Sequence, residues 1–179
     1  DQDLVRPVLR RAEKLFSELR TGVKVQKMAT AGKQVKVTME VGGAVRDELY
    51  DRVLVSVGRT PVTTNLGLEN TRVQRDEKGF IVVNERQQTA DPAIYAIGDV
   101  AGGILLAHKA TKEARVAVEV LAGESSSFEH IIIPAVVFTD PEIAWAGLTA
   151  DQAKREGREV EVAQYPWQAS GRAIANGRT

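Results

Sequence analysis

Apolar residues recur at helical spacing in three parts of the chain. They do so from Leu4 to Leu19, and Gly22 can end this first helix. A second helix is predicted over 106–121, followed by Gly123. Its apolar side is predicted to carry Ala110, Ala114, Ala117, Val118 and Leu121. A third, short helix is predicted over 149–156, with Thr149 as its cap.

Strand-like segments of two kinds lie between these helices. Residues 35–41 alternate apolar and polar side chains, which is typical of a half-buried antiparallel strand. Residues 52–57 are almost continuously apolar and end at Gly58, which predicts a parallel strand that is covered on both faces. Shorter strands are predicted at 23–25, 80–83, 94–97, 131–138, 142–148 and 159–165. The order of elements predicts an α/β chain with an α+β C-terminal part, separated by the linker 123–127.

Composition narrows the functional classes. The 179 residues include 24 Lys+Arg and 24 Asp+Glu, and a net charge of zero argues against binding to nucleic acid or to an anionic membrane. The longest apolar stretch, Ile131–Phe138, is shorter than the roughly 20 residues that span a bilayer. The acidic start of the chain does not resemble a signal peptide.

Cysteine is absent, which excludes disulfides, thiolate metal sites, iron–sulfur clusters and a dithiol redox centre within this chain. The only histidines, His108 and His130, are too few for an all-histidine metal site, so no metal is expected. A chain without cysteine fits a reducing compartment, and a cytoplasmic location is expected.

The strongest local signal is the segment Thr89–Asp99, which is followed by a loop and the helix 106–121. A strand here would deliver Asp99 to the carboxyl end of a sheet, where open α/β sheets bind ligands. Gly98 removes a side chain that would block a bulky ligand, and the helix directs its first amides toward the same place. A Gly-Asp pair by itself is more often an ordinary turn, and the eleven-residue context favours a site.

Thr89–Asp99 resembles the second FAD-binding motif of the flavoprotein disulfide reductases. Further segments look like the lipoamide dehydrogenase branch of that family, although Val62 and Leu105 depart from its usual residues. These segments are Val57–Pro61, Leu106–Ala110, Phe138–Ala144 and Pro166–Ala173. The resemblance implies a fragment of two Rossmann-like dinucleotide-binding domains and the start of a dimerisation domain. The implied parts are 1–59 of the NAD domain, 60–128 of the FAD domain and 129–179 of the dimerisation domain.

The resemblance also implies cofactor contacts. Asp99, after Gly98, matches the aspartate that binds the FAD ribityl chain. Gly58 matches a glycine beside NAD, and Val25 matches an apolar residue near the adenine, with an ordinary core valine as the equal alternative. The backbone segment that approaches the flavin ring is matched by Leu105, Leu106, Ala107 and His108. For His108, a backbone contact is favoured over proton transfer.

The implied activity is oxidation of dihydrolipoyl groups by NAD+ through FAD. The homodimer would form through 129–179, with lipoyl domains of 2-oxoacid dehydrogenase complexes as partners. Both glycine fingerprints, the redox cysteine pair and the catalytic His-Glu pair of the family are missing here, so the FAD and NAD sites are partial and no catalytic residue is assigned. Two alternatives are another reductase, of the glutathione, mercuric or transhydrogenase type, and a non-catalytic dimerisation or interaction module.

Two pairs of residues are expected to have structural roles. Lys109 and Glu113 are expected to form a weak surface pair, because they lie four positions apart in the less favourable orientation. Trp145 and Trp167 are expected to be buried aromatic anchors of the dimerisation sheet.

Overall fold

Antiparallel pairing organises both sheets of the computed structural model, which describes residues 2–177. The helices are α1 (Gln2–Leu15), α2 (Ala107–Leu121), α3 (Ala150–Arg155) and α4 (Gly171–Ala175). The strands are β1 (Lys24–Ala31), β2 (Gln34–Val41), β3 (Ala44–Tyr50), β4 (Ala135–Val137) and β5 (Ile143–Trp145). The chain divides into two units, of which one is Ala12–Ile133 and the other comprises the described residues on either side of it.

The first unit contains the three-stranded sheet β1-β2-β3. Strand β2 is central, and Val37 pairs with Met28 of β1 and with Glu48 of β3. Val37 and Met39 are buried, which confirms the alternation that the sequence predicts for this strand. Strand β2 is hydrogen-bonded to β1 on one side and to β3 on the other. It is therefore a central strand whose two neighbours are both antiparallel.

The predicted parallel strand at 52–57 is wrong for this chain. Leu54 is 92% exposed and Val57 is 91% exposed, and neither sheet of the described residues includes this segment. An apolar run can be a doubly covered strand only where neighbouring strands and helices cover it. Within the described residues, nothing pairs with this run, so it stays extended and irregular.

Three other predicted strands are absent from the described residues. Segments 80–83 and 94–97 each make a single antiparallel bridge, Arg75 with Ile81 and Gln88 with Tyr95. Segment 159–165 is irregular and exposed. A short apolar segment becomes a strand only where another strand pairs with it along its length. Among the described residues, none of these three segments has such a partner strand.

The predicted helices are found close to their predicted positions, but the buried side of α2 differs in part from the predicted one. Helix α2 matches its predicted range closely, and Thr149 caps α3 by accepting a hydrogen bond from the Gln152 amide at 3.2 Å. The predicted apolar side of α2 is right in part, because Ala117 is buried, but Val118 and Leu121 are exposed. The buried side consists of Lys109, Glu113, Val116 and Ala117. Helix α1 ends at Leu15, before the predicted stop at Gly22.

The second unit contains the hairpin β4-β5 and the short helices α3 and α4. Ala153 and Ala173 are buried in it, whereas Trp145 and Trp167 are exposed. This chain alone therefore does not bury the two tryptophans, and their burial across an interface stays a prediction. Among the described residues, no helix is long and apolar enough to cross a membrane.

Candidate functional site

Asp99 lies in a short 3-10 turn, Gly98–Ala101, that precedes α2. Gly98 has a positive φ of 78°, and a Cβ atom at this position would lie 3.3 Å from the Cβ of Ala110. Glycine is therefore required by the backbone conformation and by the close approach of α2. This reason differs from the predicted one, which was space for a ligand.

A second glycine closes the turn. Gly102 has a φ of 75°, its amide donates to the Asp99 carbonyl at 3.1 Å, and a Cβ here would lie 3.2 Å from the Phe80 ring. The Ile81 amide donates to the Val100 carbonyl at 2.9 Å. The turn is therefore held between the Phe80–Ile81 segment and α2.

A buried ion pair on α2 contacts both glycines, so the predicted weak surface pair is wrong. Lys109 Nζ lies 2.6 Å from Glu113 Oε1, and the two side chains are only 4% and 6% exposed. The same Nζ lies 2.9 Å from the Gly102 carbonyl and 3.4 Å from the Gly98 carbonyl. Glu113 Oε2 accepts a hydrogen bond from the Gly98 amide at 2.7 Å. The pair is therefore part of the support of the Asp99 turn.

The Asp99 carboxylate faces the surface and pairs with a cation. Arg59 Nη1 lies 3.0 Å from Asp99 Oδ2, and the side chains are 75% and 44% exposed. An exposed ion pair of this kind contributes about 0–1 kcal/mol to stability. Asp99 can therefore exchange this partner for a ligand hydroxyl at little energetic cost.

A pocket of about 460 Å³ opens beside this ion pair. Its walls combine one carboxylate and one guanidinium with apolar and aromatic side chains. They include Arg59, Thr60, Phe80, Asp99, Val100 and Leu105. A concave, largely apolar site with a few fixed polar groups is typical of small-molecule and cofactor binding.

The start of α2 adjoins this pocket through Leu105. Leu106 is the N-cap residue, and no side chain caps the helix end. Leu105 and Leu106 are half-buried, whereas Ala107 and His108 are exposed. The positive end of the helix dipole therefore lies close in sequence to a pocket-lining residue.

The remaining predicted residues do not line this pocket. Gly58 is exposed with a φ of 113° and precedes Arg59. Val25 lies on β1, where it pairs with Met39 and is exposed, so the core-valine alternative is wrong. In the part of the chain that the structure describes, no cluster of three metal-ligating side chains occurs.

Sequence reasoning gave no role to Arg59 or Phe80, and it predicted the Lys109–Glu113 pair but placed it on the surface. A signal for the pair existed, because positions 109, 113, 116 and 117 form a stripe at helical spacing. Two charged residues in such a stripe can pack inward together when they neutralise each other. The signal for Arg59 and Phe80 was weaker, since their meeting with Asp99 depends on the loop 60–79.

The chain matches known proteins over nearly its whole length. Residues 4–114 match the family model of the pyridine nucleotide-disulphide oxidoreductases, and residues 133–179 match the dimerisation domain of that family. A dihydrolipoyl dehydrogenase of Haemophilus influenzae is 42% identical over 177 residues, which are 98% of this chain and 37% of the relative. One of Thermus scotoductus is 45% identical over 173 residues, covering 95% of this chain and 37% of that protein.

Solved structures agree with these matches. LpdA from Mycobacterium tuberculosis superimposes with a TM-score of 0.88 at 26% identity, covering 99% of this chain and 38% of that protein. The flavoprotein disulfide reductase RclA from Escherichia coli gives 0.84 at 27% identity, covering 100% and 40%. The mixed α/β fold class is thereby confirmed, and the chain spans less than half the length of the relatives it matches.

Proposed function

The chain belongs to the pyridine nucleotide-disulphide oxidoreductase family, and from this we propose that the protein carrying it is a dihydrolipoyl dehydrogenase. Such a protein would oxidise dihydrolipoyl groups of 2-oxoacid dehydrogenase complexes with NAD+ through FAD. The observation that carries the proposal is the Asp99 turn on the wall of a cofactor-sized pocket, within a chain 42% identical to a dihydrolipoyl dehydrogenase. Lipoyl domains as partners and a cytoplasmic location belong to the same proposal.

The chemistry of the pocket fits part of FAD. Asp99 offers carboxylate oxygens that accept hydrogen bonds from ribityl hydroxyls. Phe80, Val100 and Leu105 offer apolar surface, and Leu106, Ala107 and His108 bring the positive end of α2 toward the electron-rich edge of a flavin. When bound, FAD would supply the carrier that takes two electrons from the dithiol and passes a hydride to NAD+. The residues of this chain would bind and orient it.

NAD is proposed to contact a different part of the chain. Gly58 has an exposed backbone with a positive φ, so a ligand can approach it closely. Val25 has an exposed side chain that can make an apolar contact. We assign residues 1–59 to the NAD domain, 60–128 to the FAD domain and 129–179 to the dimerisation domain.

A second candidate is a non-catalytic dimerisation module, which the absence of cysteine favours. Other reductases of the family, of the glutathione, mercuric or transhydrogenase type, compete with the enzymatic proposal. Full-length protein assayed with dihydrolipoamide and NAD+, and separately with glutathione disulfide, Hg(II) and NADPH, distinguishes these activities.

The flavin site can be tested in a chimera. The matching 177 residues of the H. influenzae relative would be replaced by this chain, and the purified chimera examined for flavin absorbance and for dihydrolipoamide-dependent reduction of NAD+. The unmodified relative is the control. A folded chimera that binds no FAD would contradict the proposal.

The 179-residue chain alone should show no dihydrolipoamide:NAD+ activity. A disulfide relay needs two thiols, and the sequence contains none. The assay is NADH production on addition of dihydrolipoamide to the purified chain, with the H. influenzae relative as positive control. Turnover that survives removal of contaminating host enzyme would exclude a dithiol mechanism for the protein.

Residues 129–179 should drive self-association into a homodimer. The match of residues 133–179 to the dimerisation domain and the exposed Phe138, Tyr165 and Trp167 provide the reason. Light scattering should detect a dimer or larger species at micromolar concentration, and Phe138→Asp should lower the association state. Leu54→Asp is the matched control, since Leu54 is a similarly exposed apolar residue in the other unit, at 92% against 80% for Phe138. A monomeric wild-type chain would refute the interface assignment.

A further inference from the structure

We infer that Lys109 and Glu113 are positioning residues for the ligand-facing turn, and that they fix the Asp99 carboxylate where a flavin would meet it. The inference rests on the proposed function, because it assigns to this pair a role in the affinity for FAD. Neither residue lines the pocket. They act through the backbone of Gly98 and Gly102.

The orientation of the pair argues against a role in helix stability. Lys109 precedes Glu113 by one turn near the start of α2, where the helix dipole disfavours a cation. Glu before Lys is the orientation that stabilises isolated helices. Lys109 before Glu113 thus stabilises the helix less than the reverse order would. Contacts outside the helix must therefore explain why this pair is present.

Those contacts use the hydrogen-bonding capacity of the ammonium group fully. Its three donors match three acceptors, the carbonyls of Gly98 and Gly102 and the Glu113 carboxylate. The second carboxylate oxygen of Glu113 accepts from the Gly98 amide. A Lys-Glu pair satisfied in this way links α2 to both glycines of the turn, which two apolar side chains could not do.

The two linked glycines flank the part of the turn that forms the pocket wall. Gly98 immediately precedes Asp99, and Gly102 follows two residues after Val100. Asp99 and Val100 both line the pocket, and Gly102 also packs against the pocket-lining Phe80. A displacement of the turn relative to α2 would therefore move the Asp99 carboxylate relative to the other residues of the pocket wall.

The test separates packing from positioning. The double variant Lys109→Met/Glu113→Leu keeps buried side chains of roughly similar size but removes the hydrogen bonds that this pair makes to the turn. The matched control is Arg115→Met/Glu119→Leu, a pair with the same spacing on the same helix whose side chains are 71% and 24% exposed and which makes no hydrogen bond to the Asp99 turn among those the structure gives. Both are made in the chimera for titration of the apo-protein with FAD, and in the 179-residue chain for amide hydrogen exchange at Gly98.

We expect the double variant to fold with a lowered unfolding midpoint, because the backbone groups of Gly98 and Gly102 lose their side-chain partners, and its dissociation constant for FAD to rise by about tenfold or more. Exchange of the Gly98 amide should accelerate by a similar factor, and the control should change neither quantity.

Unchanged FAD affinity in a chimera that binds FAD would overturn the inference and leave the proposed function standing. A wild-type chimera that binds no FAD would overturn the proposed function, and unchanged Gly98 exchange would then overturn the positioning role as well. If the double variant does not fold, Glu113→Gln, which keeps an acceptor for Gly98, is expected to preserve FAD affinity better than Glu113→Leu, and equal losses would contradict the inference.

Discussion

Replacing Lys109 with methionine should lower the free energy of unfolding by about 3–5 kcal/mol, because it leaves the Glu113 carboxylate buried without its cation. Glu113 is only 6% exposed and would retain a single hydrogen bond, from the Gly98 amide. Both tryptophans lie in the other unit, so unfolding in urea should be followed by far-ultraviolet circular dichroism, which reports on α2.

Two controls distinguish a desolvated charge from lost packing. Arg115→Met removes the cation of an exposed pair on the same helix and should cost less than about 1 kcal/mol. Adding Glu113→Leu to Lys109→Met should recover part of the loss, because it removes the unpaired carboxylate but leaves the backbone groups of Gly98 and Gly102 without side-chain partners. A loss below about 1 kcal/mol for Lys109→Met would mean that water reaches Glu113.

The sequence predicted best those elements whose cause is local. Thr149 lies where its hydroxyl can accept from the third amide of a helix, and the structure places it there. The alternation over 35–41 survives as β2 because one neighbouring strand ends a few residues before it and the other begins a few residues after it. Helix 106–121 is found almost in full, since its pattern extends over several turns.

Prediction failed where the cause is distant. The run 52–57 is apolar enough for a covered strand, but coverage is supplied by other segments, and the described residues contain none that pairs with it. The burial of Lys109 is a similar case, because a lysine is placed on a surface by default, and here the Glu113 carboxylate and the distant carbonyls of Gly98 and Gly102 together reverse this.

Part of the candidate site could be predicted and part could not. Asp99 and Leu105, singled out from the sequence, both line the pocket. For Gly98 the structure supplies a reason that the sequence did not, since the side chain it lacks would meet α2, and its role beside a ligand stays a prediction. Arg59 and Phe80 reach the pocket through the conformation of a 20-residue loop, which has little regular structure to predict.

Asp99→Ala should weaken FAD binding by the chimera roughly tenfold to a hundredfold, which corresponds to about 1.5–3 kcal/mol. The substitution removes the carboxylate that would accept from a ribityl hydroxyl. The Asp99 side chain is 44% exposed and its carboxylate pairs with the exposed Arg59, so the fold should keep its stability. The measurement is the dissociation constant of FAD, from flavin fluorescence on titration of the apo-protein.

Asp99→Asn is the conservative variant, because it keeps an oxygen acceptor and loses the charge; its loss of affinity should be smaller than that of the alanine variant. Arg59→Met tests whether Asp99 acts only by holding Arg59, since it breaks the same ion pair from the other side. If the carboxylate contacts the flavin directly, the Arg59 variant should retain more affinity than Asp99→Ala, because an exposed pair exchanges its partner at little cost. Equal losses in these two variants would assign the contact to Arg59, and an unchanged dissociation constant in Asp99→Ala would leave Asp99 as a turn residue alone.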